Sequence, residues 1–137
     1  MKAYRQTTTI DPTAWTPSTG VQAVPAGTWW DAVRVPEHIG TETVRAFRTY
    51  APSQLGPVII DLQMRVPSLY FLVPSGIALD WNVPSSRALT HHSFIVVPST
   101  NITSPPGPHW LINPRDTTRL TSPSVLQRFI KLVGPDA

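Results

Sequence analysis

Proline is the residue that most restricts the folds open to this chain, because 16 of its 137 residues are proline. A proline inside a helix removes a backbone hydrogen bond and clashes with the preceding turn, so a helix bundle is excluded. The apolar runs at 57–62 and 69–73 are too regular for a disordered chain. We therefore expect one folded domain, since this length leaves no room for two independent cores.

Apolar alternation and turn signals predict an α+β domain, a mostly antiparallel sheet with two main helices packed on it. The predicted strands are 21–24, 29–35, 58–64, 69–73, 94–97 and 109–112, with a short irregular piece at 77–81. The strands 58–64 and 69–73 flank a turn, so they are expected to form a hairpin. The first of the two is apolar on both faces at its start, which is typical of a central strand.

Two helices are predicted, at 39–51 and 123–133. Thr41 is expected to be the N-cap of the first helix, and Ser122 that of the second. The second helix is expected to end at Gly134. Its apolar stripe consists of Val125, Leu126, Phe129, Ile130 and Val133.

Residues 1–20 are predicted to form an extended N-terminal arm, because they carry seven threonines or serines and no periodic apolar pattern. Tyr4 and Trp15 are the side chains expected to attach this arm to the body. Residues 21–137 are then expected to form the single α+β domain.

The cation content permits an acidic partner without requiring one. The formal net charge is +3, and nine of the 11 cations are arginine, but they are scattered rather than clustered. The lack of cysteine excludes disulfides, thiolate metal sites and a cysteine nucleophile. No apolar stretch approaches the roughly 18–20 residues that span a bilayer, and no signal peptide is visible. A soluble cytoplasmic protein is therefore expected.

No motif for metal or nucleophilic catalysis can be identified. His91 and His92 are adjacent, so on a strand they would point to opposite faces and could not both bind one metal. There is no G-x-S-x-G elbow, P-loop or G-x-G-x-x-G. Asp31 and Asp61 lie in predicted strands, yet two isolated carboxylates do not make a two-metal centre. We expect no metal and no cofactor.

Three segments carry a resemblance to a known family. Residues 69–76 read L-Y-F-L-V-P-S-G, 94–99 read F-I-V-V-P-S, and 106–111 read P-G-P-H-W-L. Together with the strand and helix before them, residues 29–112 resemble the N-terminal domain of bifunctional DNA primase/polymerases, in the archaeo-eukaryotic primase superfamily. The resemblance implies a primase-polymerase-like, RRM-like core, and the arginine-rich, proline-rich composition fits a small relative from a high-GC actinobacterium.

The resemblance also implies that the active site is absent. The two metal-binding aspartates of the family align with Val33 and Val35, its catalytic histidine with Ser68, and its later aspartate with Arg87. Valine offers no oxygen to a hard cation such as Mg²⁺. The chain is therefore expected to be a degenerate relative that keeps the scaffold and lacks catalysis.

The leading hypothesis is a non-catalytic binding or regulatory module that recognises a protein partner or nucleic acid. Its candidate binding surface, where the family's active site would lie, consists of Arg65, Ser68, Arg87, His91 and His92. One alternative is an enzyme on small molecules that uses Asp31, Asp61 or His91. Another is a structural homodimer in which an edge strand such as 94–97 pairs between chains.

Overall fold

A computed structural model describes residues 10–134 of the chain. The strands are β1 (Val21–Pro25), β2 (Asp31–Pro36), β3 (Val58–Asp61), β4 (Ser68–Val73), β5 (Arg87–Leu89), β6 (Phe94–Pro98) and β7 (His109–Ile112). The helices are α1 (Glu37–Tyr50) and α2 (Pro123–Val133), and short 3₁₀ turns lie at Pro12–Ala14, Pro52–Gln54, Ile77–Leu79 and Pro114–Asp116. The α+β class predicted from the sequence is confirmed.

The prolines mark the ends of these elements. Pro25, Pro36 and Pro98 are the last residues of β1, β2 and β6, and Pro123 is the first residue of α2. Each position suits a residue that lacks an N–H donor and has a fixed φ. Within residues 10–134, neither helix is long and apolar enough to cross a bilayer.

All strand pairs are antiparallel and form two sheets. The larger sheet has five strands in the order β5-β2-β4-β3-β7, and the smaller one pairs β1 with β6. The predicted hairpin of β3 and β4 is confirmed. β3 lies between β4 and β7, as its apolar start indicated.

One face of the large sheet packs against both helices. Val33, Val35 and Phe71 are fully buried there. The ring of Phe129 from α2 meets that of Phe47 from α1 edge to face, with centroids 5.0 Å apart. The predicted apolar stripe of α2 is therefore in the core, which places the helices on this face alone.

The other face is covered over part of its area by the β1–β6 ribbon and by tryptophans. Trp30 is buried while its neighbour Trp29 is 40% exposed, as expected of adjacent residues with opposed side chains. Trp15 is buried against Trp30 and Trp110, at centroid distances of 5.6 and 6.2 Å. The expected attachment by Trp15 is thus seen, whereas Tyr4 lies outside the described residues.

The predicted N-cap was wrong for the first helix and is confirmed in position for the second. The first helix begins at Glu37 directly after Pro36, so Thr41 lies inside it and not at its N-cap. Ser122 does occupy the N-cap position of α2, but its side chain makes no capping hydrogen bond. β5 was not predicted, because a strand of three residues is too short for alternation to be recognised.

Candidate functional site

The strand register brings polar side chains together on the sheet face away from the helices. Arg34 on β2 lies opposite Tyr70 on β4 and opposite Arg87 on β5. Asp61 on β3 lies opposite Ser68 on β4. Directly opposed residues of antiparallel strands point to the same face. These side chains therefore form the polar end of a face whose other end is covered by the β1–β6 ribbon.

A cavity of about 370 Å³ opens at this polar end, and we call it the arginine cleft. Its lining residues are Arg34, Pro36, Met64, Arg65, Val66, Ser68, Ser85, Ser86 and Arg87. None of them is acidic. Among residues 10–134, the only ion pair joins Arg45 to Glu42 at 3.3 Å, so no described carboxylate forms an ion pair with the three arginines of the cleft.

Arg34 and Arg87 are like charges placed directly across a strand pair, an arrangement that destabilises a sheet. Arg34 is partly buried, while Arg87 and Arg65 are exposed. Guanidinium groups offer planar, paired donors that match phosphate and carboxylate oxygens. An anion lying between these side chains would replace the repulsion between the guanidinium groups with attraction to the anion. The cleft is therefore suited to a negatively charged ligand.

The serines of the cleft differ in how their hydroxyls are used. Ser68 Oγ donates to the carbonyl of Val66 at 2.8 Å. Ser86 Oγ donates to the carbonyl of Val83 at 2.7 Å and accepts from Trp81 Nε1 at 2.9 Å. Ser85 has a left-handed φ of 69°, and its buried Oγ has no hydrogen-bond partner among the described residues. Ser85 is thus the one serine of the cleft whose hydroxyl the described residues leave without a hydrogen bond.

A second cavity of about 400 Å³ adjoins the arginine cleft and shares Arg34 and Met64 with it. Tyr70 and Asp61 line this second cavity but not the cleft. The Tyr70 hydroxyl donates to Met64 Sδ at 2.9 Å. Burial raises the pKa of Tyr70 above the ordinary 10.0; a hydrogen bond and the charge of Arg34 lower it in part, and Asp61 raises it. The exposed ring of Phe94 lies on the same cavity. The two adjoining cavities, which we call the groove, are thus lined by cationic and aromatic groups together with the carboxylate of Asp61.

The Arg34→Gln variant is expected to raise the pKa of Tyr70 further, because it removes the positive charge and the hydrogen bond that favour the phenolate. Since the folded-state pKa of Tyr70 is already raised, its contribution to stability is present below pH 10 and declines as pH rises above it. Ultraviolet titration of the phenolate would measure the shift, with Tyr70→Phe identifying the signal. An unchanged or lower pKa in Arg34→Gln would contradict this contact.

The structure brings together part of the predicted binding surface. Arg65, Ser68 and Arg87 line the arginine cleft, but His91 and His92 do not. β5 runs away from the cleft, so the two histidines follow its far end. His91 lies against Gly27, where an added Cβ would be 2.7 Å from its ring, and His92 adopts a left-handed φ of 75°.

Arg34 and Met64 are cleft residues that sequence reasoning did not identify. Alternation did assign Arg34 to the face of Trp30 and Ala32, and this is the signal that could have found it. The missing information was the pairing of β2 with β5, which sets Arg34 beside Arg87. Nothing in the local sequence fixes that pairing.

Of the residues considered for catalysis, Asp61 lies at this polar end and lines the second cavity, whereas Asp31 and His91 line neither cavity. Val33 and Val35, where the resemblance led us to expect the positions of metal-binding aspartates, are fully buried on the helix-facing side of the sheet. Asp31 is also fully buried, and Asp61 accepts a hydrogen bond from the backbone N–H of Gln63 at 3.0 Å. Across the described chain, no three histidines or carboxylates are grouped closely enough to hold a metal ion.

Comparison with known proteins gives no relative. No family model matches the chain, and no curated protein or solved structure is significantly similar to it.

Proposed function

We propose that the protein is a non-catalytic binding module that recognises nucleic acid through the arginine cleft. The observation that carries this proposal is the grouping of Arg34, Arg65 and Arg87 around one cavity that has no acidic lining residue. Three guanidinium groups without a described ion pair are a strong match for the phosphates of a polyanion.

Single-stranded nucleic acid fits this groove better than a duplex. The cavity next to the cleft carries the ring of Tyr70 and that of Phe94, which is 65% exposed. Proteins that bind single strands combine a basic groove with aromatic rings on which unpaired bases stack. Bases inside a duplex are already stacked, so they cannot use these rings.

The scaffold of this module would be of the primase-polymerase type, as the resemblance of residues 29–112 implies. Val33 and Val35 in place of metal-binding acids favour binding without catalysis. The module would act in the cytoplasm and without a cofactor. Its role would be regulatory and would depend on which nucleic-acid strand it binds.

Reversing two exposed charges of the cleft tests the proposal. The double variant Arg65→Glu/Arg87→Glu is expected to lose about 100-fold or more in affinity for a single-stranded oligonucleotide, because two charge-assisted contacts become repulsive. The slope of log affinity against log salt should fall by about 1.4, the value for two phosphate contacts on a single strand. Fluorescence anisotropy at several salt concentrations measures both.

A matched control carries the same change in net charge away from the cleft. Arg115 and Arg128 are exposed and do not line it, so Arg115→Glu/Arg128→Glu should bind almost as wild type does. Equal losses in the two double variants would show that overall charge, and not the cleft, governs binding. Absence of salt-sensitive binding by the wild type, to single strands or to duplex, would rule out the nucleic-acid proposal and favour a protein partner.

A homodimer is the second candidate, favoured by the outer face of the β1–β6 ribbon. Ala23 lies opposite Val96, and Pro25 lies opposite Phe94, so these side chains share a face. All four are exposed, and Val21 beside them is 52% exposed. Contiguous exposed apolar surface of this kind marks interaction sites. Light scattering on the protein used for the binding assay would identify a dimer.

A further inference from the structure

A second cavity lies between the end of α1 and the segment that leads to α2, with a volume of about 340 Å³. We call it the Arg119 cavity. Its lining residues are Arg48, Pro52, Ser53, Leu55, Ile112, Asp116, Thr117, Thr118 and Arg119. It shares no residue with the arginine cleft, so an inference about it stands apart from the proposed function.

Two buried polar atoms of this cavity have no partner. Thr117 Oγ1 and Arg119 Nε are both inaccessible to solvent and make no hydrogen bond within the described part of the chain. A buried donor without an acceptor lowers the stability of the folded protein by about 1–3 kcal/mol, and by more when the donor is charged. Native proteins satisfy nearly all such groups, and the exceptions usually mark a bound water, ion or ligand. Two of the four unpaired buried side-chain atoms of residues 10–134 belong to residues that line this one cavity, which points to a missing acceptor there.

Close packing at Gly56 joins two of the segments that border the Arg119 cavity, residues 52–55 and residues 116–119. An added Cβ there would lie 2.4 Å from the backbone nitrogen of Thr121 and 2.7 Å from the carbonyl oxygen of Arg119. The N–H of Gly56 donates to Thr121 Oγ1 at 2.8 Å, and the N–H of Ser122 donates to the carbonyl of Gln54 at 2.9 Å. This close contact fixes the backbone on both sides of the cavity, so its polar groups are preorganised.

The charges of the cavity favour an anion over a neutral ligand. Arg48 and Arg119 contribute two positive charges, and neither forms an ion pair with a carboxylate of residues 10–134. The exposed Asp116 also lines the cavity, and the carbonyl end of α1 lies near Arg48; both reduce the positive potential. Water would satisfy the Arg119 Nε–H, but only an anion also neutralises the guanidinium groups.

We propose that the Arg119 cavity binds a small phosphate-type oxyanion, either the free ion or the terminal group of a small phosphomonoester. Its oxygens would accept from Arg119 and Arg48, and the hydroxyl of Thr117 would donate to one of them. The volume exceeds what a bare ion fills, since one water accounts for about 30 Å³ of liquid. The cavity therefore has room for a short organic group attached to the phosphate.

The test follows backbone amide shifts by NMR while inorganic phosphate is added to the full chain at constant pH and ionic strength. Saturable shifts are expected for Thr117, Thr118 and Arg119. The Arg119→Gln and Arg48→Gln variants should each weaken this binding at least about tenfold, as loss of one charge-assisted contact implies. The Arg115→Gln variant should not, because Arg115 is bound to Asn101 at 3.0 Å and does not line the cavity.

Glycerol 3-phosphate distinguishes the two forms of the ligand: tighter binding than phosphate indicates a phosphomonoester, and equal or weaker binding indicates the free ion. The proposal is overturned if the three amides show no saturable shift, if chloride reproduces the shifts, or if both variants bind as wild type does. Arg48 is exposed, so Arg48→Gln keeps the test valid should Arg119→Gln fail to fold. Amides at 85–87 report the arginine cleft separately, so failure at one site is not mistaken for failure at the other.

Discussion

Phe129→Ala is expected to destabilise the protein by about 3–5 kcal/mol, the range for removing a large buried aromatic side chain. Phe129 is 6% exposed and packs edge to face on Phe47. It also lies 6.4 Å from the ring of Tyr50, so its loss leaves a cavity where α2 meets α1. A domain of this size has about 5–15 kcal/mol of stability in total, so the variant should unfold far more readily in urea.

The neighbouring residue supplies the control for this prediction. Arg128 precedes Phe129 on α2 but is exposed, so Arg128→Ala should change stability by no more than about 0.5 kcal/mol. Both variants are compared by urea unfolding with a common slope. A loss below about 1 kcal/mol for Phe129→Ala would mean that the stripe of α2 is not part of the folding core.

The fold could be predicted from the sequence because its signals are local. Prolines bound the strands and open α2, and a period of 3.6 marks the buried stripe of that helix. Alternation correctly placed Val33 and Val35 on one face and Trp30 on the other. The start of α1 was missed because Pro36 occupies the N-cap position without a side-chain cap, so the usual signal is absent.

The candidate site could be predicted only in part, because it depends on contacts between distant segments. Arg65, Ser68 and Arg87 were expected to converge through the family resemblance, and the structure does place them around one cavity. The same reasoning also included His91 and His92, which do not line this cavity. Only the direction of β5, set by its antiparallel pairing with β2, decides this.

The Arg119 cavity had no sequence signal at all. Arg48 lies on α1 and Arg119 in the segment leading to α2, about half the chain apart, and neither belongs to a motif. Their approach depends on the close contact of Gly56 with the backbone of Thr121. Contacts of this kind depend on tertiary packing, which composition and periodicity do not report.

Asp31 is one of the three residues that the small-molecule enzyme alternative names, and its contacts make it structural. It is fully buried, and its Oδ2 accepts from the N–H groups of Gly76 and Ala78 at 2.9 and 3.1 Å. Its Oδ1 accepts from Thr90 Oγ1 at 2.7 Å. The carboxylate therefore ties the 3₁₀ turn at Ile77–Leu79 and the end of β5 to the start of β2.

Asp31→Ala is accordingly expected to destabilise the protein by about 3–5 kcal/mol, because three donors lose a charged acceptor. Asp31→Asn should cost less, about 1–2 kcal/mol, since its remaining oxygen keeps the two backbone contacts while the amide donates to the Thr90 hydroxyl. Asp80→Ala, an exposed carboxylate near the same turn, should change stability by less than about 0.5 kcal/mol. Urea unfolding of the three variants measures these differences.

The sign of the Asp31→Ala effect separates the two accounts of this residue. A carboxylate kept for catalysis is commonly held in a strained or poorly satisfied setting, so its removal often stabilises the fold. A carboxylate kept for structure is satisfied by its neighbours, as Asp31 is by Gly76, Ala78 and Thr90, so its removal must destabilise the fold. A more stable Asp31→Ala variant would overturn the structural assignment and favour the enzyme alternative. A large loss of stability in Asp31→Ala that is mostly recovered in Asp31→Asn would support the structural assignment and leave only Asp61 and His91 to the enzyme alternative.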